Sequence, residues 1–270
     1  LVASDTLTVS DVDTSDVVTA SVVLTSSNTG TSSRTDRAAP TDSELLAMFS
    51  VSPSAVLNAS TSSALLTWNF NAGSEAFDYL AAGETLILTY TTTATDDNGT
   101  PLSDSETVTI TITGANDAPT LSASRATATY TDTAADDTFN TGSGQLSSTD
   151  ADTNDGATYG IDGGSADTSR AGYNVSKTST YGTLFLNSIN GSYLFVPNDS
   201  AIEGLTANAT PSFTFTVNDG TTTVSSQSLT LTLVAANDTP TVSSGTPTAT
   251  LVEAGGVANG TSGVASSSIT

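Results

Sequence analysis

The chain has 270 residues and sets 28 acidic side chains against 5 basic ones, a formal net charge of −23, with no histidine and no cysteine. So few cations cannot neutralise a phosphate backbone or hold an anionic bilayer surface, which excludes nucleic acid as a partner and, with no apolar run long enough to span a bilayer, direct membrane insertion. Without thiol or imidazole there is no disulfide, no Cys/His zinc site, and no Ser-His-Asp or Cys-His catalytic arrangement.

Taken in chain order, the apolar residues recur with period two in short runs. A first unit, roughly residues 1–119, is expected to hold strands over 6–10, 17–24, 65–70, 85–95 and 107–113. A helix of one or two turns is expected over 41–49, capped by Thr41 with Glu44 three residues on. A polar insertion lies near 26–63. In the run 107–113, Val108, Ile110 and Ile112 alternate with threonines, giving one buried and one solvent face. A second unit, residues 120–240, is expected to hold strands over 126–130, 182–186, 191–196, 213–217 and 228–234. Asn190-Gly191 turns the middle hairpin, and Ser200 and Glu203 stand at capping-box spacing for a short helix. Short Thr-rich strands spaced by turns predict an all-β sandwich architecture.

Internal repetition is the strongest signal. Ala115-Asn116-Asp117-Ala118-Pro119-Thr120 returns as Ala236-Asn237-Asp238-Thr239-Pro240-Thr241, each copy following an alternating strand. Asn-Asp turns the chain, and proline ends the ladder and stiffens the exit, as a short linker between tandem domains requires. After Pro240, residues 241–270 read as the opening strand of a third unit, at 248–253, followed by a Gly/Ser-rich stretch. Such a strand is able either to fray or to complete a neighbouring protomer's sheet by strand donation.

Several stretches together resemble the VCBS repeat, a cadherin-like or immunoglobulin-like module of giant bacterial surface adhesins. They are Tyr181-Gly182-Thr183-Leu184 leading to Asn190-Gly191-Ser192-Tyr193, the pattern around 213–220, Leu80-Ala81-Ala82-Gly83-Glu84-Thr85-Leu86 running into Tyr90, both Asn-Asp-x-Pro linkers, and Leu251-Val252-Glu253-Ala254-Gly255-Gly256. The resemblance implies tandem β-sandwich domains acting as extenders at the cell surface or outside the cell. It also implies adjacent repeats of the same protein as the partners, and Ca²⁺ at the domain junctions.

The acids themselves point the same way, because Ca²⁺ takes six to eight oxygens from carboxylates, Asn amides and backbone carbonyls. Asn116 and Asp117 are expected to combine with Asp96, Asp97 or Asp132, and Asn237 and Asp238 with Asp219 and Glu253, so that several ions are bound. Asp136 and Asp137 are lesser candidates. Asp150-Ala151-Asp152-Thr153-Asn154-Asp155-Gly156 resembles the start of an EF-hand loop, but glycine arrives one position late, no Glu occupies the twelfth position, and flanking helices are missing. It reads as a surface loop for one ion, with Asp11 and Asp13 in a similar place in the first unit. The simpler reading throughout is that Asn-Asp makes a turn and bonds nearby backbone N–H groups.

Two other functions compete with an extender. Trp68, Phe70, Phe77 and Tyr79 would make an aromatic platform for a carbohydrate-binding module if exposed; otherwise Trp68 and Phe70 share one strand face and plug the core. A self-assembling filament or sheath subunit is the other. Paired carboxylates for glycoside hydrolysis are arithmetically available, but they sit in turns rather than in a cleft, and the expectation is a non-catalytic protein.

Overall fold

The computed structural model describes residues 1–27, 30–31, 39–152, 155–240 and 242. The first half contains β1 (Val2–Ser10), β2 (Val18–Ser26), α1 (Asp42–Ala47), β3 (Phe49–Ser52), β4 (Ala55–Leu57), β5 (Ser63–Asn71), β6 (Thr85–Thr95) and β7 (Ser103–Thr113). These form a three-stranded sheet, β1-β5-β3, facing a four-stranded sheet, β4-β2-β6-β7.

Period-two patterning decides which face is buried. On β6 the side chains of Leu86, Leu88 and Tyr90 point inward with Ile87 and Thr89 half-buried between them, and on β7 those of Val108, Ile110 and Ile112 point inward while Thr109 and Thr111 stay toward water. Across the gap they meet Phe49 of β3 and Phe70 of β5, with Leu45 of α1 closing one side. Each such side chain contributes about 1.5–3 kcal/mol on burial. Tyr90 is the largest of them. Its ring stacks on Phe49 at 4.2 Å, and its hydroxyl donates to the Leu45 carbonyl at 2.8 Å, so this polar atom is satisfied inside the core. The expected capping box is present: the Glu44 N–H donates to Thr41 Oγ1, and the Thr41 N–H donates back to Glu44 Oε2.

Phe70, Phe77 and Tyr79 are buried, and Trp68 is half-buried against Phe49 at 5.7 Å. The aromatic platform is therefore absent, because Ala64, Leu66, Trp68 and Phe70 occupy the inward-facing positions of β5.

The second half contains β8 (Thr120–Ala123), β9 (Thr127–Thr131), β10 (Gly142–Thr149), β11 (Thr158–Ile161), β12 (Ser165–Ala166), β13 (Val175–Ser179), β14 (Gly182–Leu186), β15 (Ser192–Pro197), α2 (Asp199–Glu203), β16 (Ser212–Asn218) and β17 (Thr223–Val234). A six-stranded sheet, β12-β13-β14-β15-β10-β8, faces a four-stranded one, β11-β16-β17-β9. Its core gathers Leu184, Leu186, Tyr193, Phe195, Phe213, Phe215, Leu229, Leu231 and Leu233, and it shares no residue with the first core. The hairpin turn before β15 closes with Gly191 at φ +75°, a conformation that glycine adopts without the Cβ penalty.

α2 departs from its expected cap. Asn198 occupies the N-cap position with no side-chain cap bond, the Ser200 hydroxyl donates to Asn198 Oδ1, and Glu203 turns away to accept the Asp137 N–H. Among the described residues no helix is long and apolar enough to cross a membrane.

Candidate metal centres

An antiparallel hairpin places its turn and its free ends at opposite ends of the sheet, and this sorts the acidic loops into three groups. Asp96 and Asp97 sit at the β6–β7 turn, whereas Asn116 and Asp117 follow the far end of β7, eleven strand residues away. The expected pairing of Asn116 and Asp117 with Asp96 or Asp97 is thus replaced by others. In the same way Asp219, at the β16–β17 turn, is kept apart from Asn237 and Asp238, which follow the other end of the twelve-residue β17.

The first group joins Asp11, Asp16 and Asp96, each with one carboxylate oxygen within 4.8 Å of one from both others. Asp96 also accepts from the backbone N–H groups of Asn98 and Leu102, and Asp97 accepts from that of Val17 at 2.8 Å.

The second group surrounds the chain segment that passes from β7 to β8. The Asp117 N–H donates to Asp152 Oδ2 at 2.8 Å, and the Asn116 amide donates to Asp219 Oδ2 at 3.1 Å. Asp219 is fixed in turn by the N–H groups of Thr221 and Thr222, and this holds its carboxyl below the usual carboxylate range. The Asp152 N–H donates to Asp150 Oδ1. What is left over is informative. Asn116 Oδ1, Asp150 Oδ2 and Asp152 Oδ1 are buried and accept no hydrogen bond. Asp152 is only 2% exposed, so the loop expected to be a surface feature is covered at its centre by the β7–β8 segment.

Desolvation, with Asp155, Asp117 and Asp150 nearby, pushes the Asp152 carboxyl up against the bond from the Asp117 N–H. Desolvation followed by Asp150, Asp219 and Glu84 does the same to Asp155. Glu84 reaches this group from the turn ahead of β6. That turn is strapped to the β7 exit by the Gly114 N–H donating to the Glu84 carbonyl at 2.8 Å. A Cβ on Gly114 would collide with the carbonyl oxygens of Leu80 and Ala81, so only glycine lets the two segments approach this closely.

The third group joins Asp132, Asp137 and Glu203, again with one oxygen of each within 4.8 Å of the others. Asp132 is 3% exposed. One of its oxygens accepts the Ala236 N–H at 3.0 Å, and the other is buried without a partner. Desolvation, then Asp132, Asp137 and Asp238, raises the Glu203 carboxyl. Asp132 therefore lies with the Asn237-Asp238 segment and not with Asn116, because β9 runs parallel to β17 and ends beside it. Asn237 donates to its neighbour's carbonyl at 3.3 Å. Glu253 lies outside the described residues, as does the strand expected over 248–253.

Sequence reasoning missed Glu84, Asp16 and the turned-away Glu203, whereas Asp155 entered it as a member of the 150–156 loop. Glu84 and Glu203 share a readable signal: each stands just ahead of the last two strands before an Asn-Asp pair.

In the metal-free chain the raised carboxyls are destabilising when ionised. Stability should therefore rise as pH falls from neutral through the folded-state values of Asp152, Asp155 and Glu203, which lie above the ordinary carboxylate range. At lower pH the gain ends and reverses, as Asp219, Asp167 and Glu44, whose values are lowered, take up protons. Thermal melts in chelator at pH 7.5 and at about pH 5 check this; a lower midpoint at the acidic value contradicts it.

No protein-family profile matches the chain, and no curated protein does. Among solved structures it is similar at low identity to cadherin-type extracellular repeats. Mouse cadherin-23 EC22-24 is 12% identical, over 84% of this chain and 57% of that one, with a TM-score of 0.36. Protocadherin gammaB7 EC3-6, a cis-dimer structure, is 16% identical, over 81% and 50%, with a TM-score of 0.34. Mouse protocadherin-24 EC1-3 is 13% identical, over 79% and 58%, with a TM-score of 0.30. The chain spans about half the length of these structures.

Proposed function

We propose that the chain is a non-catalytic extender segment of an extracellular bacterial adhesin or surface fibre. It is built of tandem β-sandwich repeats over residues 1–119 and 120–240, with a third opening in 241–270, of the VCBS or cadherin-like kind. Its junctions bind Ca²⁺. The observation that supports this best is the set of buried oxygens without partners, Asn116 Oδ1 in the segment that joins the two sheet pairs and Asp150 Oδ2 and Asp152 Oδ1 in the loop bonded to that segment. A buried carboxylate left unpaired costs several kcal/mol unless a cation compensates it.

The donors are all oxygens, from carboxylates and an amide, which is the chemistry of a hard cation that tolerates many ligands. Bound there, Ca²⁺ would supply the positive charge that the loops lack. Glu84 belongs to the first sheet pair, Asn116 and Asp117 to the connecting segment, and Asp150, Asp152, Asp155 and Asp219 to the second pair. Their convergence would fix the angle between the two pairs. Asp132, Asp137, Glu203, Asn237 and Asp238 repeat the arrangement at the far end of the second pair. Asp11, Asp16 and Asp96 present acids at the far end of the first.

Small-angle scattering in millimolar calcium and in chelator tests the reading. The expected result is a longer, narrower particle in calcium, with far-ultraviolet circular dichroism nearly unchanged. Identical scattering curves, with no heat on calcium titration, would overturn it.

A further inference from the structure

Arg125 is an oddity in a chain of this charge. It stands between β8 and β9, and it makes no ion pair among the described residues, although acids outnumber bases by 28 to 5. Its one side-chain hydrogen bond runs from Nε to the Thr127 carbonyl at 3.0 Å, leaving both Nη groups without an acceptor among the described residues. Acids on this flank are engaged elsewhere: Asp137 accepts the Thr133 N–H at 2.7 Å, and Asp199 accepts the Phe139 N–H at 3.2 Å. Tyr130 is a second unspent donor. It is only 7% exposed, with Phe139 at 6.0 Å and Phe195 at 5.7 Å from its ring, yet its hydroxyl bonds to nothing among the described residues. Burial raises this phenol, with Arg125 opposing, so it keeps its proton at neutral pH.

The two donors converge on one point. A Cβ on Gly142 would stand 3.1 Å from Tyr130 Oη and 3.4 Å from Arg125 Nη1. Glycine thus keeps open a cradle with a guanidinium N–H on one side and a phenol O–H on the other, the arrangement that suits the two oxygens of a carboxylate. The cradle belongs to a cleft of about 300 Å³ between β9 and the 138–142 segment. That is the small end of ligand sites, with room for about one sugar ring. The rest of the lining includes the Thr138 and Thr141 hydroxyls, the Asn140 amide and the half-buried Phe139 ring. Hydroxyls and amides both donate and accept, as a polyol requires, and an aromatic ring offers apolar surface to its C–H groups. A peptide strand fits less well. β9 is an edge strand, but the Arg125 side chain already occupies the carbonyl of its first residue, Thr127.

We propose that this cleft binds a sugar acid. The carboxylate of one uronic-acid unit sits between Arg125 and Tyr130, and the ring hydroxyls meet Thr138, Asn140 and Thr141. An acidic polysaccharide is the partner with that chemistry. None of these five residues belongs to the three acidic groups, and the contact needs no metal, so it stands independently of the calcium reading.

Titration of the full chain with sodium glucuronate, in chelator and about 0.15 M salt, tests this by amide chemical shifts. Saturable shifts centred on residues 125–131 and 138–142 are expected, with none from glucose and about tenfold weaker binding of acetate. Tyr130→Phe keeps the packed ring and deletes one hydrogen bond to a charged group, so glucuronate should bind about tenfold more weakly with the circular dichroism unchanged. Gly142→Ala puts a methyl group at the point of convergence and should abolish saturation. Arg125→Gln should do the same, and Arg125→Lys should restore part of the binding. The proposal is overturned by any of these results: no saturable shift, acetate equal to glucuronate, a blocked glutamate peptide binding more tightly than glucuronate, or Tyr130→Phe without effect. Binding that appears only in calcium also overturns it, because the sugar then sits on a metal. A chain that binds glucuronate in chelator but gives no heat with calcium would keep this site and lose the calcium reading.

Discussion

Replacing Asp152 by asparagine is expected to reverse its sign with calcium. In calcium at about a hundred times the dissociation constant, one bound ion adds about 2.7 kcal/mol to folded-state stability. Asp152→Asn should forfeit most of that, because it removes the buried carboxylate from a group in which Asn116 Oδ1 and Asp150 Oδ2 are likewise buried without partners. In chelator the variant should melt at or above the unmodified chain. Burial and three neighbouring aspartates already oppose ionisation of Asp152, and the amide keeps an oxygen for the Asp117 N–H. A structural side chain with no metal role would shift the midpoint equally in both media, and an equal shift would remove the calcium reading of this junction. Calorimetric titration of the two proteins gives a second, independent readout.

The second large effect separates the two cores. Phe195 is fully buried, with Tyr130 at 5.7 Å and Phe213 at 5.8 Å between ring centres. Phe195→Ala should cost the second core about 3–5 kcal/mol, lowering its midpoint by roughly 15 °C or more. The single tryptophan, Trp68, packs against the first core and reports that one alone. In chelator, circular dichroism should therefore show an early transition while the Trp68 emission midpoint stays in place. If both probes move together, the sheet pairs melt as one unit, and the division near residues 119–120 is wrong.

How much of this was legible beforehand depended on what each residue had to do locally. β6, β7, β16 and β17 announce themselves because one face is buried and the other wet, so apolar and polar residues must alternate. The Thr41–Glu44 cap is equally local. β10 stayed hidden because its opening, Gly142-Ser143-Gly144-Gln145, is nearly devoid of side chain, and a Cβ at Gly144 would meet the Tyr193 ring. β3, β4, β8 and β12 are too short to show a period. For the candidate centres, residue types could be read but partnerships could not. Asn116, Asp117, Asp132, Asp150, Asp152 and Asp219 were all candidates, yet Asp219 and Asn116 meet across 103 residues. Only the placement of hairpin turns at opposite ends of a sheet decides which loops converge. Glu203 was misread for a related reason: capping-box spacing is necessary for the cap but does not prevent a longer-range partner such as the Asp137 N–H.

The parallel pairing of β9 with β17 has a consequence for a chain pulled from both ends. Force enters the second sheet pair ahead of β8 and leaves after Val234, so the two strands are drawn in opposite directions along their common axis. The ladder from Thr127–Thr131 to Thr230–Val234 is then loaded all at once in shear, instead of being peeled open one bond at a time. Rupture under load is governed by the unfolding rate rather than by equilibrium stability. A fold of modest thermodynamic stability built this way can still be a tough link.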